Sequence, residues 1–357
     1  MSFLACGPTA FQYYRIPPQI LGLYPAILPP DHDHRLVHYS KQPVIKDLLG
    51  TPVWRFVGER KQRANGKLFH SRLLTQEPPP GSFRQTEHGF DVTSPEFTLL
   101  NLATQVSRSQ LLMACYEMCS SFAVFTPCKR TQQQLDEAIS LKLIPPNCGW
   151  ERVIDVNGKD TNLWKRTPLL SAADIAAFAK QAAGLRGVKQ LRWAAERMTG
   201  QTASPFEVQT SMLISLPRDE GGMGINIANN VRIPLSDAAR SLYDKPCCYA
   251  DILIESATDS MGVILECQGR SAHGSEAASL SDAERATALT SMGYDVIQIT
   301  FGQIKDEKSF DHIAELIHKK AGLSYTPKTK QERIAEDTLR QELLVDWVEL
   351  FTAGPAS

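Results

Sequence analysis

The sequence predicts an α/β protein of the α+β kind, built as two domains, and three observations carry that expectation. From residue 204 the pattern runs helix, strand, strand, strand, helix, strand, which suits a central mixed β-sheet flanked by helices. Before about residue 165, short β-branched and aromatic runs alternate with Pro- and Gly-rich turns and amphipathic helices, giving a mixed N-terminal α/β domain. A chain of 357 residues is also long for one core. The expected boundaries are 1–165, 166–325 and a C-terminal helix over 326–357.

Composition narrows the function classes. Hydrophobic residues make up 43% and charged residues 22%, the proportions of a globular protein. No apolar run reaches the ~18 residues a membrane helix needs, and no basic segment precedes an apolar one near Met1, so a cytoplasmic protein is expected. The eight cysteines show no Cys-x-x-Cys spacing, which argues against zinc. Cys115 and Cys119 lie one helical turn apart and read as packing residues. The net charge of −1 excludes indiscriminate coating of nucleic acid. Locally, Arg55, Arg60, Lys61, Arg63, Lys67, His70 and Arg72 cluster around the single acid Glu59, a patch that suits either a phosphate backbone or a solvated hairpin.

Taken in order, a short helix from Cys6 ends at Ile16-Pro17-Pro18, and strands are expected at Pro52–Val57 and Lys67–Leu74. Ser94-Pro95 opens a helix as N-cap and first turn, followed by helices near 109–120 and 132. Ser171 with Asp174 forms a capping box for a helix that Gly184 stops, and a second helix runs from Val188 to Met198. Ser204-x-x-Glu207 is another capping box, so Glu207 has an immediate role at the start of its own helix. Strands are expected at 225–235, 248–255 and 262–268, the last two as a hairpin. Ser281-x-x-Glu284 reads as a box before the next helix. Periodicity at 328–352 places Leu339, Leu343 and Trp347 on one face, to pack on the body or serve a partner.

The hairpin concentrates the chemistry. Pairing brings Asp251 beside Glu266, and buried carboxylates on adjacent strands are costly unless a cation joins them; the usual one is a divalent metal. His273, in the following Gly/Ser-rich loop, suits an auxiliary base, a phosphate contact or a solvated residue. Arg285 suits phosphate or a carboxylate partner.

Glu207 on the first helix, Asp251 on one strand and Glu266-Cys267-Gln268 on the next, in that order of elements, resemble the PD-(D/E)xK nuclease superfamily over about 200–305. Glu266-x-x-Gly269-x-x-x-His273, with Asp282, Arg285, Leu289 and Gly293-Tyr-Asp-Val, is similar to the very-short-patch-repair-endonuclease branch. Thr93-Ser-Pro-Glu-Phe-Thr-Leu-Leu-Asn-Leu-Ala103 is similar to abortive-infection antitoxin-like regions joined to such domains. The resemblance implies Mg²⁺- or Mn²⁺-dependent hydrolysis of DNA, in defence or repair. It implies Asp251 and Glu266 as metal ligands, with Glu207 and the Cys267 backbone carbonyl as further ones. Arg285, Arg270, Arg60, Lys61 and Arg63 are the expected nucleic-acid contacts, with a protein partner or homodimer also possible. One residue departs from the pattern: Gln268 stands where the family has lysine, and glutamine orients an attacking water without adding charge. The alternative reading is a nuclease fold without catalysis, acting as a nucleic-acid-binding or antitoxin-like regulator.

Overall fold

The computed structural model describes residues 3–27, 39, 41–145, 149–155, 157–257, 259–269 and 276–351. It is a mixed α/β protein with sheets of five, four and three strands. Its contacts divide into two compact units: Met1–Arg152, Asn162–Glu196 and Asp346–Ser357 in the first, Val153–Thr161 and Arg197–Val345 in the second.

In the first unit, β1 (Leu4–Ala5), β2 (Val53–Val57), β3 (Phe69–Leu73), β4 (Phe83–Gln85) and β5 (Asp91–Thr93) form a sheet in the order β3-β2-β1-β5-β4. The two-residue β1 sits at its centre, antiparallel to β2 and parallel to β5. Helix α1 (Gly7–Tyr13) follows, and its neighbour α2 (Pro95–Leu102) starts as expected, Ser94 Oγ accepting the N–H of Phe97 at 3.3 Å. The core joins Phe3, Tyr39, Phe90, Val53, Phe69 and Trp164, with Phe3 stacked on Phe90 at 4.9 Å.

The basic stretch between β2 and β3 is not a hairpin. The strands pair in parallel, Val53 opposite Phe69 and Val57 opposite Leu73, so Arg60–Lys67 lie in a crossover. Parallel neighbours cannot be joined by a tight turn.

Helix α3 (Arg108–Cys119) is buried along most of its length, including Cys115 and Cys119. Burial pushes the Cys119 thiol up to about 12 and that of Cys115 well above its ordinary range, as expected of inert packing residues. Next come β6 (Phe122–Val124), α4 (Lys129–Ser140), β7 (Glu151–Ile154) and β8 (Asp160–Lys165), with the strands ordered β6-β8-β7. Helices α5 (Ala172–Gln181) and α6 (Val188–Glu196) pack on α2 and α3, so the first unit continues past residue 165 to Glu196.

A buried network holds the end of the chain. Arg15 donates to both Glu117 oxygens at 2.8 and 2.6 Å, and Trp347 Nε1–H donates to Glu117 Oε2 at 2.6 Å. A fully buried carboxylate persists when every lone pair is matched, which explains why residues from Asp346 belong to this unit.

The second unit contains α7 (Pro205–Ser215), β9 (Ala228–Pro234), β10 (Cys247–Ile254), β11 (Gly262–Gln268), α8 (Glu276–Ser291), β12 (Tyr294–Thr300), α9 (Glu307–Ala321) and α10 (Lys330–Leu343). The strands are ordered β12-β11-β10-β9; β10 is antiparallel to β9 and β11, while β11 and β12 are parallel. Its core packs Ile233, Cys248, Ala250 and Ile264 with Ala288 and Leu289 of α8. The hairpin between β10 and β11 closes at Gly262, with φ of +141° and the Ile254 carbonyl 2.9 Å from any Cβ, so only glycine fits.

Two boundaries differ from expectation. Helix α8 starts at Glu276 rather than at a Ser281 box; Ser281 lies inside it because Glu-Ala-Ala-Ser-Leu already favours helix. The C-terminal periodic segment is not one helix. Helix α10, capped by Thr329, stays in the second unit, where Leu339 and Leu343 are buried and Gln209 Nε2 donates to the Leu343 carbonyl at 2.8 Å.

Candidate functional site

The acids gather where β10 and β11 part. Their antiparallel register runs Ile254↔Val263, Leu253↔Ile264, Ile252↔Leu265, and Asp251 and Glu266 are the next residues along the two strands. Glu266 and Gln268, two residues apart on β11, share a face of that strand.

Each acid is held differently. Asp251 Oδ2 accepts the backbone N–H of Cys267 at 2.8 Å. On its other side, Ala250 pairs with Val231 and Ile252 with Asn229, while Asn230 between them has φ of +52°. Asparagine tolerates that left-handed geometry, and the local distortion of β9 falls beside Asp251. Glu266 accepts a hydrogen bond at Oε2 from Arg285 of α8, and Arg285 also lies 3.9 Å from Asp282. Among the described residues, the buried Glu266 Oε1 and Gln268 Oε1 have no hydrogen-bond partner. Such atoms carry a desolvation penalty of about 1–3 kcal/mol each until something polar meets them.

Glu207 sits in the first turn of α7 and turns back on it. Its Oε2 accepts the Ala203 N–H at 2.7 Å and its Oε1 the Ser204 hydroxyl at 2.9 Å. Both oxygens serve the helix start, as the capping spacing suggests.

Electrostatically the three acids still form one group. Burial and then the Asp251 charge push Glu207 up to about 8. Burial and the Asp251 charge also push Glu266 up to about 8, against the pull of Arg285. Burial raises Asp251 as well, although the Cys267 N–H and Arg285 oppose the shift. Burial opposes the Arg285 charge, but Glu266, Asp251 and Asp282 more than offset it and hold its proton. The Cys267 thiol is driven well up by burial and by Asp251 and Glu207, so it is no nucleophile.

Among the described residues, no three His, Cys, Asp or Glu side chains form a ready-made metal cage. The donor chemistry nevertheless suits a hard cation: two carboxyls on neighbouring strands, with free oxygens on Glu266 and Gln268. Neither Glu207, committed to α7, nor the Cys267 carbonyl is shown as a ligand.

The remaining expected residues separate. His273 and Arg270 lie outside the described residues. Arg60, Lys61 and Arg63 belong to the first unit, where Lys61 pairs with Glu59 at 2.8 Å while Arg60 and Arg63 line a cavity. The left-handed kink at Asn230, next to Asp251 across the sheet, is a feature that sequence patterns do not mark, since nothing in an alternating strand signals it. No described helix is long and apolar enough to cross a membrane. Compared with known proteins, the chain matches no protein-family model, no curated protein and no solved structure.

Proposed function

We propose that residues 197–345 hold a PD-(D/E)xK-type centre that hydrolyses phosphodiester bonds in DNA, in cytoplasmic defence or repair. The observation that carries this reading is the Asp251–Glu266 pair: a half-buried and a buried carboxyl on neighbouring strands, with Glu266 Oε1 and Gln268 Oε1 uncommitted beside them. A divalent ion bound there would neutralise a phosphate oxygen and activate a water. The chain's own residues do the positioning. Cys267 N–H fixes Asp251, Arg285 fixes Glu266, and the amide of Gln268 can orient an attacking water by hydrogen bonds.

The test is nicking of supercoiled plasmid with Mg²⁺ or Mn²⁺. Wild-type protein nicks, and Asp251→Ala loses at least a hundredfold, the scale expected when charge stabilisation at the reacting phosphate is removed. Equal cleavage by Asp251→Ala, or none by wild type on any DNA or RNA form, ends the catalytic reading. One observation favours the second reading, a binding or antitoxin-like regulatory module. Arg285 already neutralises Glu266, and no lysine stands at 268. That module would retain DNA in gel shifts after Asp251→Ala, with affinity falling as salt rises.

A further inference from the structure

The first unit contains a cavity of about 650 Å³, within the range of sites for small organic ligands. Four arginines line it: Arg60 and Arg63 from the β2–β3 crossover, Arg72 from β3, and Arg186 from the turn between α5 and α6. No aspartate or glutamate is among its lining residues. Among the described residues, Arg60, Arg63 and Arg186 pair with no carboxylate. Arg72 is tied down by oxygens that carry no charge, donating to the Asn101 carbonyl at 3.3 Å and to Thr104 Oγ1 at 2.7 Å.

Burial holds the Arg72 guanidinium below its ordinary range; Cys6 opposes the shift, and like-charge repulsion from Arg186 adds to it. An anion would relieve the repulsion, and guanidinium groups suit phosphate because their N–H donors match its oxygens in pairs.

The cavity is too large for an anion alone, and one part of its wall is apolar. Phe56 and Phe97 stand on its wall with ring centroids 5.7 Å apart and planes 13° from parallel, and Leu100 and Leu185 add to that side. Phe97 is buried, whereas Phe56 is half exposed and offers a ring to a ligand. Aromatic faces accept flat rings, and Asn101 and Gln76 provide amide groups in the same lining.

We infer that this cavity binds a nucleoside phosphate, its phosphate held by Arg63, Arg72 and Arg186 and its base against Phe56. The ligand is either a free nucleotide or the phosphorylated end of a strand, which share this chemistry. The inference stands on the first unit alone and does not depend on hydrolysis by the second.

The test titrates the full-length chain with a fluorescent adenosine triphosphate analogue, followed by anisotropy. Competitors are unlabelled ATP, a 5′-phosphorylated hexanucleotide and inorganic pyrophosphate. Saturable binding is expected, weakened about tenfold or more in Arg63→Glu and in Arg186→Glu, because each loses a charge-assisted hydrogen bond. Both side chains are exposed, so the variants should fold, which circular dichroism checks. Phe56→Ala should weaken the nucleotide about tenfold while leaving pyrophosphate competition unchanged. Asp251→Ala should bind as wild type does. Tighter competition by ATP identifies a free nucleotide, and tighter competition by the hexanucleotide identifies a strand end. No saturable binding, wild-type affinity in both arginine variants, or pyrophosphate competing as well as ATP would overturn the inference.

Discussion

The carboxylate of Asp251 accepts the backbone N–H of Cys267 at 2.8 Å, so the strand that bears Glu266 also fixes the opposing acid. The half-buried Asp251 charge is thereby held near the buried Glu266 and raises the cost of ionising it. Asp251→Asn keeps an acceptor for the amide and removes the charge. It should therefore lower the apparent pKa values of Glu207 and Glu266 from about 8 while preserving the fold. Carboxyl-carbon NMR titration reads this directly, and unchanged midpoints would show that Asp251 is not coupled to them.

A raised pKa is also a statement about stability. Glu207 titrates near 8 when folded against an ordinary 4.5, so its contribution is fully present below pH 4.5 and disappears as pH rises through about 8. The metal-free protein should lose melting temperature across that window. Glu207→Gln keeps an acceptor for the Ala203 N–H and should reduce the dependence to the share that Glu266 contributes, as followed by thermal unfolding at several pH values. A variant as pH-sensitive as wild type would assign the effect elsewhere.

The Arg285–Glu266 pair is partly buried, with 25% and 5% of the two side chains exposed. A double-mutant cycle with Arg285→Gln and Glu266→Gln should give a coupling of about 1–3 kcal/mol by urea unfolding. A value near zero would mean that solvent screens the pair and that Arg285 does not position Glu266.

Gln268→Lys adds a cation beside the acids at the end of β11. If the centre hydrolyses DNA, plasmid nicking should rise at least tenfold, within the range a positioned charge or proton-transfer group contributes. An unchanged rate, with the fold intact by circular dichroism, would show that residue 268 does not face the reacting phosphate.

Much of this architecture was legible in local signals. Ser94-Pro95, Ser171 with Asp174, and Ser204 with Glu207 mark helix starts because a side-chain oxygen must meet free N–H groups there, and all three do so. The antiparallel β10–β11 hairpin that carries Asp251 and Glu266 followed from strand period and a short turn. What escaped was long-range. Strand β1 has only two residues and owes its place to β2 and β5; β6 has three. The parallel pairing of β2 and β3 has no local signature. The cavity likewise depends on Arg186 meeting Arg72 across 114 positions, which no spacing rule connects. The kink at Asn230 could have been suspected only from asparagine's tolerance of positive φ.

The central claim, that Asp251 and Glu266 jointly hold a divalent cation, is tested most directly by a crystal soaked with Mn²⁺ and measured for anomalous scattering. The account predicts a peak at coordination distance, about 2.0–2.3 Å, from an oxygen of each carboxylate. No peak, with the two carboxyls diverging and Glu266 still bound only to Arg285, would contradict it.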